Sequence, residues 1–554
     1  MKKRKCNRIL TLLLTCMLVL STLTACGAEN DAPGSDGRQG DDAQQNDTQQ
    51  SDAQQGGEQT GEAEPEGPRT GGVLTIAFPA QLTNIGFPIV GGVQPLWASK
   101  PAIEMLGRYD ENGQVYGWLA KEILPDPDNL QIVLKLQEGV KYHDGTPFNA
   151  QAVCDVWQIF IDNGSAAAYF GNVDSFQATG EYEVTVKLTE WRNSTVSNLC
   201  IECGTMISPA EYNRLGLEGI YTSVVGTGPY VMESYDIAEG IKYVRNDNYW
   251  IAGQPYLDGI DIIFYTEENT GESIFRTGEA QMIYGTSASL TNRLSRDGFE
   301  KICNNACISP TMTGIYFASG NENDPISKLE VRQAFSYALD KQALCDTFAE
   351  GIGFVSEQLA VPGSKEYNEA VAGYPYDVEK AKEKLREAGY EDGECVITIY
   401  YQPANEDMFV AVKGMLEAAG FKVEGDTRTG DVSRNMYGTT DPWTCCAFFW
   451  APTTVETWHL FFGNPPVVYA IDTIDMEEAG IFECYDKCLT AKTAEEQHEA
   501  MMELQRLATE EYCLYTPLYD TPALINFSNG TVRDHGMAET WLCEWTPEAI
   551  WLSE

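Results

Sequence analysis

Leu136-Gln137-Glu138-Gly139-Val140-Lys141-Tyr142-His143-Asp144-Gly145-Thr146-Pro147-Phe148 is the stretch from which the rest of the chain can be read. Leading into it, Leu130-Gln131-Ile132-Val133-Leu134-Lys135-Leu136 mixes β-branched residues with period-two polarity, the pattern of a strand. Asp144-Gly145 then marks a tight turn. Asn149 or Ala150 opens a helical stretch with Val153, Val156, Trp157 and Phe160 on one side. His143, beside the turn, reads as a packed or hydrogen-bonding residue rather than a catalyst.

Upstream, Gly71 to Phe78 is a short apolar run opened by glycines, a buried first strand ended by Pro79. Downstream, Glu183 to Leu188 alternates as a half-buried strand. Gly226-Thr227-Gly228-Pro229-Tyr230 combines glycines that permit unusual backbone angles with a proline that stiffens the exit. No Lys-Ser/Thr pair follows it, so it is not a phosphate loop. Strand-like runs follow around Lys242 to Arg245 and Gly259 to Tyr265.

The texture then changes. Val331, Ala334, Phe335 and Ala338 have helical spacing, and Arg332 beside them reads as a surface or salt-bridged residue, with a ligand contact as the alternative. Asp377 caps a helix whose inner face is Ala381, Leu385 and Ala388, and Gly389 stops it. Val396 to Tyr401 is a strand, Asn405 starts a helix with Met408, Phe409, Val412, Met415 and Leu416 inward, and Phe421 to Val423 is a strand again. That order implies an α/β lobe. A last helix runs from about Ala494 to Thr509, followed by extended chain with Pro517 and Pro522.

Several of these segments, in order, resemble blocks of the family 5 extracellular solute-binding proteins, the oligopeptide, dipeptide and nickel receptors. They are Leu136 to Phe148, Gly226 to Tyr230 leading to Arg245-Asn246 and Tyr249-Trp250, Val331 to Phe335, Ala338-Leu339-Asp340, Ala381 to Tyr390, and Pro517-Leu518-Tyr519. The resemblance covers about residues 71 to 540. It implies a two-lobe periplasmic-binding-protein-like α/β fold (type II, cluster C) with two hinge strands, the ligand lying between the lobes and buried by closure. Lobe I would comprise 71–314 and 512–554, with an extra subdomain at about 103–223, and lobe II would comprise 315–511.

The cleft is where this sequence departs from the family. Peptide-binding relatives often carry Trp-x-x-Asp-Tyr late in lobe II, and that acid grips the peptide's α-ammonium. Here the matching stretch is Phe448-Phe449-Trp450-Ala451-Pro452-Thr453-Thr454-Val455, with Thr453 in the acid's place. A threonine can hydrogen-bond an ammonium but cannot neutralise it. Glu456 is the nearest acid, at the wrong offset. The Ala-Pro pair is also similar to nickel-receptor relatives. The resemblance places Phe449, Trp450, Pro452, Thr453, Thr454, Trp458, Tyr519 and Gln81 at the ligand. It implies a peptide or peptide-like solute and an ABC permease and ATPase as partners, with a nickel-chelate or other small-solute receptor as the alternative.

Composition narrows the function classes. The formal charge of −45 argues against nucleic acid and anionic lipid as partners. Sixteen cysteines meet only four histidines, and Cys200-Ile201-Glu202-Cys203 has no second C-x-x-C to complete a zinc ribbon. Buried thiols or incidental disulfides are therefore expected at Cys200/Cys203, Cys303/Cys307 and Cys484/Cys488, with no metal or other cofactor. No His-Glu-x-x-His, Gly-x-Ser-x-Gly or cysteine–histidine nucleophile stands out, so an enzyme is not expected. A secreted hydrolase and a surface sensor or adhesin remain the readings of another class.

The N-terminus reads as an export signal. Lys2, Lys3, Arg4 and Lys5 precede an apolar stretch from Ile9 to Thr22 and then Leu23-Thr24-Ala25-Cys26, the layout of a secretory signal over residues 1–25. The ending resembles the bacterial lipobox, which implies cleavage before Cys26 and a diacylglycerol on its thiol. Residues 26–70 are rich in Gly, Gln, Asp and Glu with no large apolar residue after the cysteine, the composition of a disordered tether. The expected location is the outer face of the cytoplasmic membrane, lipid-anchored and extracellular. Cys26→Ser is expected to abolish metabolic labelling of the protein with a radioactive fatty acid and to release it to the medium or leave it unprocessed. Normal labelling and maturation of the variant would refute the assignment.

Overall fold

Burial of alternate residues turns these patterns into sheets. The computed structural model describes residues 67–87, 89, 93–110, 113–164, 169–302, 310–319, 322–427, 444–452, 455–458, 462, 474–522, 524–537 and 545–553, with the backbone alone for 444–452. Arg69–Glu554 forms one unit. Its chain first lays down β1 (Val73–Phe78). An antiparallel block follows, made of β2 (Ala120–Asp126), β3 (Gln131–Leu136), β4 (Val173–Gly180) and β5 (Glu183–Leu188), in spatial order β2-β3-β5-β4. Helix α1 (Ala150–Asp162) covers it, capped by the Asn149 side chain and burying Val153, Val156, Trp157 and Phe160.

The chain then adds β6 (Tyr230–Asp236), β7 (Gly240–Arg245), β8 (Gly259–Phe264), β9 (Met282–Ile283) and β10 (Glu300–Ile302) around β1. The next described strand is β11 (Pro310–Ser319), followed by helices α2 (Leu329–Tyr337), α3 (Lys341–Phe348) and α4 (Val378–Glu387). Next come β12 (Cys395–Tyr401), α5 (Glu406–Ala418), β13 (Phe421–Thr427), β14 (Thr444–Pro452), α6 (Ile481–Thr490) and α7 (Ala494–Gln505). Finally β15 (Tyr515–Pro522) leads to β16 (Asn526–Ser528).

Two large mixed sheets result. One has seven strands in the order β10-β16-β9-β1-β8-β7-β6, and the other has five in the order β13-β12-β14-β11-β15. The chain passes between them twice, from β10 to β11 and from β15 to β16. The two crossing strands are antiparallel neighbours, paired from Pro310 opposite Pro522 to Tyr316 opposite Tyr515. Both belong to the five-stranded sheet, so the crossings lie before Pro310 and after Pro522, whereas the sequence places the lobe boundaries at 314 and 512.

Strand β11 of the five-stranded sheet is buried on both faces. Ile315 and Phe317 of β11 join Phe335, Leu385, Val412 and Leu416 in one core, and Met312, Tyr316 and Ala318 join Trp458, Tyr485 and Leu504 in another. This is the period-two signature of a sandwiched strand. Arg332 corrects the sequence reading. It is neither on the surface nor salt-bridged, but 2 % exposed, donating to the carbonyls of Ile326, Ser327, Tyr512 and Cys513 at 2.7–3.1 Å. It thereby ties α2 to the residues that lead into β15.

The stretch at Leu136–Phe148 serves packing. His143 bonds through its backbone N–H to the Gly226 carbonyl and through Nε2 to the Gly228 carbonyl, both at 2.9 Å. Thr227, Tyr249 and Trp250 donate to buried Glu104 at 2.7–3.0 Å, and Trp118 donates at 2.8 Å. Burial pushes the Glu104 carboxyl up, against the pull of Arg108 and these donors. Gly226 and Gly228 are required for close approach, not for unusual backbone angles. Neither has a positive φ, and a Cβ there would lie 2.2 Å from the Ala102 carbonyl oxygen and 2.6 Å from that of Pro101. Gly226→Ala is expected to destabilise the protein by about 1–3 kcal/mol, the usual cost of overpacking against a fixed neighbour, measured by urea unfolding.

Candidate functional site

Strand direction defines one edge of the five-stranded sheet as special. β12 and β14 are parallel, and β11 runs antiparallel to both β14 and β15. The carboxyl ends of β12, β14 and β15 therefore share one edge, where β11 begins and where the chain crosses to the other sheet. In open α/β sheets, ligands settle outside the carboxyl ends of the strands. That edge is the candidate cleft wall.

Register brings several sequence-nominated residues to it. Thr313 of β11 pairs with Trp450 on one side and Tyr519 on the other, so the three share a row across β14, β11 and β15. Phe449 lies opposite Gly314, and Pro452 ends β14 opposite Thr311. Tyr519 is buried, and its phenol is raised by burial against the pull of its hydrogen bond with Thr313. Gln81 is exposed in the loop after β1. Thr453 and Thr454 lie outside the described residues. Trp458 sits in the short 3-10 turn Val455–Trp458 and is 0 % exposed, its ring 6.3 Å from that of Phe462. In that position it packs the core rather than lining an open cleft.

Sequence reasoning missed the next residue along β15. Asp520 is 0 % exposed, and neither carboxyl oxygen has a hydrogen-bond partner. Its backbone is fixed on both sides. It pairs with Met312 of β11, and it exchanges N–H to carbonyl bonds of 2.8 and 3.0 Å with Phe354. Burial alone pushes its carboxyl up to about 8. The signal was an acid inside an otherwise apolar, Pro-punctuated strand directly after Tyr519.

A second set of contacts joins the two sides away from the crossing strands. The Asn193 N–H and Nδ2 donate to the carbonyls of Leu489 and Cys488 at 2.7 and 3.1 Å, and Trp191 Nε1 donates to the Ala491 carbonyl at 3.2 Å. Lys492 pairs with Asp128 at 2.6 Å. The block around β2–β5 thus touches the segment that ends α6.

Of the cysteines singled out in the sequence, those described serve packing, and Cys303 and Cys307 lie outside the described residues. Cys200, Cys203, Cys484 and Cys488 are buried free thiols, and burial pushes Cys200 up to about 12 and Cys484 up to about 11. Such thiols are poor nucleophiles at neutral pH. Among the described residues there is no cluster of His, Cys, Asp or Glu arranged to hold a metal, and no helix is long and apolar enough to cross a membrane.

Comparison with known proteins agrees with this architecture. Residues 114–462 match the family described as bacterial extracellular solute-binding proteins, family 5 Middle. The glutathione-binding protein GsiB of Pectobacterium atrosepticum is 30% identical over 334 residues, which cover 54% of this chain and 63% of GsiB, so the match spans less than two thirds of that relative. Among solved structures, the periplasmic binding protein DppA of Helicobacter pylori in complex with peptide STSA is 18% identical with a TM-score of 0.65, covering 88% of this chain and 99% of its own. NikA of Brucella suis in complex with Fe(III)-EDTA is 20% identical with a TM-score of 0.71, covering 86% and 100%. These relatives are solute-binding proteins rather than enzymes. With the family match running through more than half of its residues, and with both sheets and their paired crossings in place, this chain belongs to family 5 of the bacterial extracellular solute-binding proteins and has their two-lobe fold.

Proposed function

We propose that this chain is the solute-binding lipoprotein of an ABC importer. It is held outside the cytoplasmic membrane by Cys26 and the 26–70 tether. It captures a peptide or peptide-like small solute between its two lobes and delivers it to a permease driven by an ATPase. The observation that carries the reading is the pair of adjacent crossing strands, β11 and β15, which are the connections between two separately cored sheets. Such a joint lets one lobe swing on the other with few backbone changes. A solute that touches both lobes favours the closed form by its differential affinity. The names of relatives support a small solute with peptide character, since GsiB binds glutathione and DppA holds a peptide. Lobe I carries the seven-stranded sheet and the 103–223 subdomain, and lobe II carries the five-stranded sheet.

The test is calorimetric titration of the purified mature protein with peptides, glutathione and nickel or iron chelates, joined to small-angle scattering. One solute class is expected to bind one to one and to reduce the radius of gyration. Trp450→Ala is expected to weaken that solute about tenfold or more, the scale of losing an aromatic contact in a buried site. Binding of none of these solutes, or binding with unchanged dimensions, would defeat the reading.

A further inference from the structure

We infer that the Asp520 carboxyl is the seat for a protonated primary amine of the bound solute. This deepens the proposed function and rests on it. Two other deeply buried carboxylates have donors. Glu104 has four side-chain donors, and Glu548 takes both Nη atoms of Arg108 at 2.7 and 3.3 Å. Asp520, at 0 % exposure, has none on either oxygen. A buried polar group without partners costs stability and persists where something else completes it.

Position says what that something is. Asp520 stands two residues before the end of β15, at the edge where the carboxyl ends of three strands meet and the chain crosses between lobes. Its backbone groups are used by Phe354, so the side chain is the group left to bind. Chemistry then selects the partner. Two bare oxygens need several N–H or O–H donors, and in a desolvated place they need positive charge. A primary ammonium brings three donors and one charge, whereas a ligand hydroxyl satisfies one oxygen and leaves the charge unbalanced. Among the described residues nothing supplies that charge. The titratable groups facing Asp520 are the Cys345 thiol on α3, pushed up to about 11, and its neighbour Tyr519, and burial is the sole cause acting on Asp520 itself.

The empty protein therefore holds a neutral carboxyl at neutral pH. Arrival of an ammonium converts it to a carboxylate paired with that ammonium, and the carboxyl proton leaves to solvent. No bond other than this O–H is broken.

The experiment uses a degenerate tripeptide-to-pentapeptide library with free amino termini and the same library N-acetylated. The full mature protein, Asp520→Asn and Glu456→Gln are each incubated with both, and retained peptides are quantified by mass spectrometry after gel filtration. The wild type and Glu456→Gln are expected to retain free-amine peptides. Acetylation and Asp520→Asn are each expected to weaken binding by roughly 10- to 100-fold, the range for a charge-assisted pair. Calorimetry in two buffers of different ionisation heat at pH 7 is expected to show about one proton released by the wild type and none by Asp520→Asn. The melting temperature of Asp520→Asn, expected equal to or above that of the wild type, shows that it folds. Equal retention of free-amine peptides by wild type and Asp520→Asn, or loss in Glu456→Gln instead, overturns the inference and leaves the receptor reading intact. If the wild type retains neither library and binds no glutathione or metal chelate, both readings fall together.

Discussion

Backbone hydrogen bonds between β11 and β15 carry a constraint felt throughout the molecule. Every covalent path between the sheets runs through these two strands, and they are paired with each other from Pro310 opposite Pro522 inward. Because they are neighbours, the two connections leave the five-stranded sheet side by side. Because both are buried on two faces in the five-stranded sheet, the joint cannot slide in register without moving residues between two cores. Arg332 reinforces this by gripping the carbonyls of Tyr512 and Cys513 just before β15 begins. A guanidinium satisfied wholly by carbonyls is an expensive device, since burial lowers it to about 10 against the pull of Cys513, Tyr374 and Glu330. Its role is to fix where the second crossing strand enters.

The seven-stranded side is held by a different logic. Two of the blocks that gave the family resemblance, Leu136 to Phe148 and Gly226 to Trp250, converge on one turn, Pro101 to Glu104, through His143, Gly226, Thr227, Gly228, Tyr249 and Trp250. They are spread over more than a hundred residues, yet they form a single buried polar knot. These residues hold the seven-stranded side together and stand apart from the row of Trp450, Thr313 and Tyr519.

Much of the fold was legible because its signals are local. The alternation in Gln131–Leu136, the Asn149 and Asp377 caps and the inner face of α5 each depend on neighbours a few residues away. Phe449, Trp450 and Tyr519 were reached through the resemblance, and the register of β14, β11 and β15 sets Trp450 and Tyr519 in one row. The failures were of the opposite kind. The glycines at 226 and 228 were read for torsional freedom, but their reason is an approach by residues 101–102, far off in sequence. Arg332 was read from its own helix, and its carbonyl partners include residues near 512. Asp520 escaped because its isolation is made by Met312 and Phe354, both far off in sequence.

The contact between Asn193, Trp191 and the segment from Leu489 to Lys492 has a kinetic meaning. It consists of a few polar bonds to main-chain carbonyls and one exposed ion pair. Water can replace each of these at small net cost. Such a contact can part and re-form without a large energetic penalty of its own.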